Sequence, residues 1–137
     1  MLNEIYLPRA LINRLLHQAQ SSPDSEICGF IGARNGKPST CYAVRNIAEH
    51  PAVRFQMDPS EQIDALRTMR ESQEELFAIY HSHPSASAEL SATDLEQLSY
   101  PETLQIVISL NTKGVLEMRG FQVRAKSRIE EIPLVID

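Results

Sequence analysis

Leu76 to His83, LFAIYHSH, is a nearly continuous apolar run that turns polar only at its C-terminal end, and it constrains the fold more than any other stretch. Such a run reads as a central strand, and its polar end forms the floor of a site. Leu104 to Leu110, LQIVISL, is the most β-prone run and reads as a second buried strand.

Other segments are arranged around these two. Pro8 to Gln20 repeats apolar residues at Leu11, Ile12, Leu15 and Leu16, the rhythm of a helix with one buried stripe. That rhythm puts His17 on or beside the wet edge, a poor place for a ligand. Glu26 to Arg34 reads as a strand opened by Glu26, and Asn35-Gly36 is a hairpin turn into a strand over Ser39 to Ile47. A short strand at Arg54 to Met57 precedes Asp58-Pro59-Ser60, which caps a helix running to about Glu71 through Ile63, Leu66 and Met69 or Arg70. PSASAEL is a loop, and Ser91 to Tyr100 reads as a helix closed by Pro101. Asn111 to Gly114 forms a turn into a strand over Val115 to Val123, and Ile129 to Ile136 supplies a last strand. This order predicts an α/β or α+β mixed sheet with helices packed on it.

The chain's 137 residues suit one domain, and 42% hydrophobic with 23% charged residues is enough to bury a core without disulfides. A net charge of −5 with scattered basic residues argues against nucleic acid. No apolar run reaches the roughly 18 to 20 residues that span a bilayer. The N-terminal stretch is amphipathic rather than signal-like, so the cytoplasm is the expected setting and no membrane partner is expected. Cys28 and Cys41 lack metal-ligand spacing and read as buried or half-buried free thiols. Apolar residues near both termini could serve the core or a homodimer interface.

The chemistry concentrates in His81 to Asp94, HSHPSASAELSATD. On a strand, residues i and i+2 share a face, so His81 and His83 project together while Ser82 points away. Asp94 follows across a loop in the first turn of a helix, and a carboxylate is a usual third partner of two histidines in a catalytic zinc site. Glu26 is the candidate base and Ser91 a candidate donor to a developing oxyanion. The same residues have plainer readings. Ser91 to Asp94 fits a helix capping box, H-x-H pairs also occur on exposed strand faces, and Glu26 alone reads as a solvated strand end. Their joint occurrence favours the metal site.

The full pattern, H-x-H-P, six residues, Ser, two residues, Asp, resembles the signature of the JAMM (MPN-plus) zinc metalloproteases. Here it reads His81-Ser82-His83-Pro84 through Ser91 to Asp94, and Glu26-Ile27-Cys28-Gly29-Phe30-Ile31-Gly32 resembles the setting of the family's upstream glutamate. The resemblance extends to Asn46 and to Phe55 through Pro59. It implies that His81, His83 and Asp94 bind one catalytic Zn2+ with its water, that Glu26 moves the proton and that Ser91 helps hold the transition state. Inactive MPN-minus relatives lose ligands, whereas every motif position is filled here. The implied fold is cytidine-deaminase-like, a mixed sheet flanked by helices in a single domain over residues 1–137. Deaminase chemistry fits poorly, because H-x-E and P-C-x-x-C are missing.

The short chain resembles compact bacterial and archaeal members that act on ubiquitin-like sulfur carriers ending in Gly-Gly, in the manner of a CysO-cysteine peptidase. The expected activity is hydrolysis of the bond after that Gly-Gly, releasing an amino acid or a protein, in cysteine or other sulfur metabolism. Two other readings are a non-catalytic MPN-type scaffold and a zinc peptidase of cell-wall or phage-tail processing.

Overall fold

The computed structural model describes residues 3–111, 116–125 and 128–137. The elements are β1 (Ile5–Leu7), α1 (Arg9–Gln20), β2 (Cys28–Arg34), β3 (Lys37–Val44), α2 (Pro59–Glu71), β4 (Glu75–His83), α3 (Ala92–Glu96), β5 (Leu104–Ser109), β6 (Glu117–Ala125), β7 (Arg128–Ile132) and β8 (Leu134–Ile136). Six strands form a mixed sheet in the order β3-β2-β4-β5-β6-β7, and β1 pairs with β8 in a separate parallel pair. Within the six-stranded sheet, β4 and β5 are parallel while the other neighbours are antiparallel. The crossover between these two parallel strands carries the loop after His83 and α3, so the polar end of β4 meets α3 there.

Alternation along β4 separates two cores. Ala78 and Tyr80 face a cluster with Leu11, Leu15 and Ala19 of α1, whereas Ile79 faces a cluster with Ala65 and Met69 of α2. His81 and His83 share the parity of Ile79 and therefore look toward the α2 side. The mixed sheet flanked by helices is the expected fold class.

Several local expectations change for identifiable reasons. The Arg54 to Met57 strand shrinks to one bridge between Asn46 and Met57. The Asn46 carboxamide takes the Arg54 carbonyl and the Gln56 N–H, which a longer ladder would have used. The helix expected to reach Tyr100 ends at Glu96. Pro101 disfavours helical backbone at the residue before it, and the Tyr100 ring meets Phe30 edge-on at 5.9 Å. On α2 the buried positions are Ala65 and Met69, and Ile63 stays 58% exposed. With so few apolar residues, a one-position rotation of the stripe is invisible to periodicity.

The expected last strand breaks at Pro133, which has no N–H for a ladder, and its second half pairs with β1. Ile5 and Leu7 are consequently core residues, while Tyr6 and Ile136 remain exposed. Asn35 and Gly36 both take positive φ, 53° and 77°, as the hairpin turn requires. Of the turn expected over Asn111 to Gly114, residues 112–114 lie outside the described residues, as does Val115 at the start of the strand that follows. Both cysteines are buried and free. Burial pushes the Cys28 thiol up to about 12.

Candidate metal centre

Glu26, His81, His83 and Asp94 are all buried, and one ligand atom from each lies within 4.8 Å of the others. His81 Nε2 and His83 Nε2 are 3.2 Å apart, and each approaches the same Asp94 Oδ2, at 3.0 and 3.1 Å. Zinc bonded at about 2.0 to 2.1 Å in a tetrahedron separates its ligand atoms by about 3.3 Å, so these three donors already stand near the edge length of such a shell. Two imidazoles and a carboxylate also have the donor chemistry of a catalytic site with one position left open. The donor set fits a metal ion.

Each candidate ligand is held from behind by groups packed around it. His83 Nδ1 lies 2.7 Å from the Ser87 carbonyl, to which it donates as Nδ1–H, leaving the Nε2 lone pair to face the centre. Phe55 covers one face of His81, its ring stacked at 4.6 Å with an interplanar angle of 27°. The capping box at α3 is real: Ser91 Oγ accepts from the Asp94 N–H, and Asp94 Oδ2 accepts from the Ser91 N–H at 2.9 Å. The cap therefore aims the carboxylate at the histidines, and the two readings of Ser91 to Asp94 coexist. The loop carrying Ser87 is itself anchored, because Ala88 is buried against Val107 and Phe121, and Ser109 Oγ donates to the Ala86 carbonyl.

Glu26 does not open a strand, since β2 begins at Cys28. Its backbone is instead pinned on two sides. The Glu26 N–H donates to the Pro51 carbonyl at 2.7 Å, and the Glu26 carbonyl accepts from Asn46 Nδ2 at 3.0 Å. Ser82 completes the link to β4. Its Oγ accepts from the Ile27 N–H at 2.8 Å, while the Ser82 N–H donates to the Ile27 carbonyl. The serine that points away from the centre thus ties the glutamate's segment to the histidine strand.

The electrostatics follow from burial and crowding. Burial raises the Glu26 carboxyl to about 8, with His83 opposing the shift and Asp94 adding to it. Its Oε1 is buried without a hydrogen-bond partner among the described residues, as is His81 Nδ1. Burial works against charge on Asp94 too, but the close imidazoles of His81 and His83 and the hydrogen bond from the Ser91 N–H hold its carboxyl well below the usual range. Burial likewise opposes charge on His83, yet its bond to Asp94 raises it overall.

The structure brings together Glu26, His81, His83, Asp94 and Ser91, and leaves His17 exposed on α1. Sequence reasoning did not give Ser82 or Phe55 a part in this site. The only cue for Ser82 was its position between the histidines, and for Phe55 its place in the matching Phe55 to Pro59 segment.

Residues 8–122 match the model of the prokaryotic homologs of the JAB domain. A desampylase from Pyrococcus furiosus is 27% identical over 133 residues, covering 97% of this chain and 91% of its own. A CysO-cysteine peptidase from Mycobacterium tuberculosis is 26% identical over 129 residues, covering 93% and 88%. Among solved structures, a protein from Desulfitobacterium hafniense superposes with a TM-score of 0.86 at 27% identity, covering 97% of this chain and 92% of that one. A JAB1/MPN domain protein from Archaeoglobus fulgidus shares the fold, with a TM-score of 0.61 at 16% identity and coverage of 96% and 98%. With the family model spanning most of the chain, a buried His-His-Asp-Glu group suited to a metal, and relatives named as peptidases, this chain belongs to the prokaryotic JAB-domain family of hydrolases.

Proposed function

We propose that this chain is a zinc-dependent peptidase that hydrolyses the bond after the C-terminal Gly-Gly of a ubiquitin-like sulfur carrier, in the cytoplasm. The observation that carries the reading is the buried Glu26 carboxylate set against the three converging donors of His81, His83 and Asp94. That arrangement supplies ligands and a base from different elements, which a purely structural metal site does not need. The named relatives, a desampylase and a CysO-cysteine peptidase, support the carrier class.

Bound by His81, His83 and Asp94, zinc would act as a Lewis acid on the scissile carbonyl and lower the pKa of a water molecule. Glu26 accepts the proton of the attacking water on a carboxylate oxygen and returns it to the amine nitrogen as the C–N bond breaks. Ser91 Oγ already accepts the Asp94 N–H, so its own proton is directed outward to the oxygen that gains charge. An extended Gly-Gly tail fits because glycine lets the backbone pass close to a buried centre.

Metal analysis of the purified protein and mass spectrometry of a Gly-Gly carrier joined to an amino acid test this reading. Wild type should carry zinc and release the adduct, Glu26→Gln should keep zinc and lose turnover, and His83→Ala should lose zinc. Undiminished cleavage by Glu26→Gln, or wild type unable to bind zinc, would overturn it.

A further inference from the structure

The hydrolytic steps leave two buried polar groups unused, and both border one cavity. His81 Nδ1 is buried without a hydrogen-bond partner among the described residues, whereas His83 Nδ1 has the Ser87 carbonyl. Gln105 is 2% exposed, and its Nε2 donates to the Thr103 carbonyl at 3.2 Å. His81 and Gln105 line a cavity of about 350 Å³ together with Phe55, Gln62 and Tyr100.

Strand register explains how the two residues come to share it. β4 and β5 are parallel, Ile79 stands opposite Gln105, and His81 follows Ile79 on the same face, so His81 and Gln105 project together from neighbouring strands. With strands about 4.8 Å apart and a rise of about 3.3 Å per residue, Cα atoms in this diagonal relation are about 8 Å apart. Two side chains and one water span that distance. A carbonyl only accepts, so the carboxamide atom facing Thr103 is the nitrogen, and Gln105 Oε1 is turned the other way. A buried N–H and a buried amide oxygen are both costly to leave unbonded, and a cavity of this size with polar partners holds water. The other carboxamides of the wall do not fill the role. Gln62 is committed, with Oε1 accepting from Tyr100 Oη and Nε2 donating to the Met57 carbonyl, while Gln56 and Gln97 are exposed.

We infer that Gln105 is a positioning residue of the metal centre: His81 Nδ1–H donates to a water held in the cavity, and that water donates to Gln105 Oε1. Resting on the proposed zinc site, this link fixes the tautomer in which the His81 Nε2 lone pair faces the ion. Stacking on Phe55 restrains the plane of the ring but is indifferent to which nitrogen carries the proton. The water link makes that choice. The two histidines are thus oriented by different devices, His83 by the crossover loop and His81 by β5.

Zinc affinity, measured by competition with a chromophoric chelator, tests the assignment. Gln105→Leu and Gln105→Met fill the position without an oxygen and should weaken zinc binding about 10- to 100-fold, whereas Gln62→Leu on the same wall should change it less than about threefold. Melting of the metal-free proteins identifies the variants that fold. In NMR of isotope-labelled histidine in the zinc-loaded protein, the His81 Nδ1–H should exchange with solvent faster in the Gln105 variants, while that of His83 should not change. A high-resolution crystal structure of zinc-loaded wild type, which needs no variant, should place one water within about 3.2 Å of both His81 Nδ1 and Gln105 Oε1. Unchanged affinity in a folded Gln105 variant, equal weakening in Gln62→Leu, or the lack of that water in wild type overturns the role of Gln105 and leaves the hydrolase reading standing. Wild type that binds no zinc overturns both.

Discussion

Asn46 is the residue whose alteration has the most calculable consequence. Its carboxamide makes four hydrogen bonds. Nδ2 donates to the Glu26 and Arg54 carbonyls at 3.0 and 3.1 Å, and Oδ1 accepts from the Ala48 and Gln56 N–H groups at 2.9 and 3.0 Å. Asn46→Asp keeps the shape and the two accepted bonds but turns an oxygen toward two carbonyl oxygens. Losing two donated bonds at about 0.5 to 1.5 kcal/mol each, plus the repulsion at a half-buried position, gives a destabilisation of about 2 to 4 kcal/mol at pH 7.

For a chain of this size about 3 °C of Tm corresponds to 1 kcal/mol, so a fall of roughly 6 to 12 °C is expected. The new carboxyl is easier to protonate in the folded state than in the unfolded state, where its pKa is about 4. The folded state then binds more protons, so the penalty is smallest below about pH 4 and grows as pH rises through the folded value. Urea denaturation of both proteins at pH 4 and pH 7 measures it. Zinc should be retained, because no ligand sits on this loop, while turnover falls as Glu26 and Phe55 lose their common anchor. A difference below about 0.5 kcal/mol at pH 7 would show that the loop is held by something other than Asn46.

Three further expectations use other parts of the frame. Gly29→Ala puts a Cβ 2.3 Å from the Tyr42 carbonyl oxygen and 2.4 Å from Tyr80 Oη, so the β2–β3 pairing must shift and stability should fall by at least about 2 kcal/mol in chemical denaturation. Ser82→Ala leaves the Ile27 N–H without its side-chain acceptor in a buried place, which should cost about 1 to 3 kcal/mol and lower kcat more than zinc affinity. Equal losses in both would remove the tether role. Stripping zinc with a chelator should lower the Tm of wild type and leave that of His83→Ala unmoved, since only a metal-binding native state gains from added metal; equal shifts in the two would place the ion elsewhere.

Much of the site could be read from short-range spacing, because the distances involved are set by one element at a time. The i, i+2 relation on a strand puts His81 and His83 on one face whatever surrounds them. The S-x-x-D cap brings the Ser91 and Asp94 groups together within one turn. What spacing leaves open is where α3 stands relative to β4, and here the buried Ala88 and the Ser109 bond to the crossover loop decide it.

The amino-acid sequence by itself determined the helical and extended segments with strong periodicity, the hairpin at Asn35-Gly36, and the ligand types that meet at the end of β4. Tertiary structure alone decided that Ser82 grips Ile27, 55 positions earlier in the chain, and that Asn46 clamps both Glu26 and the Phe55 segment. It also decided that β1 pairs with β8, and that residues from Phe55 to Gln105 enclose one cavity. The physical reason is that backbone N–H and C=O groups must all find partners, but which distant group satisfies them depends on how the packed sheet brings the segments together.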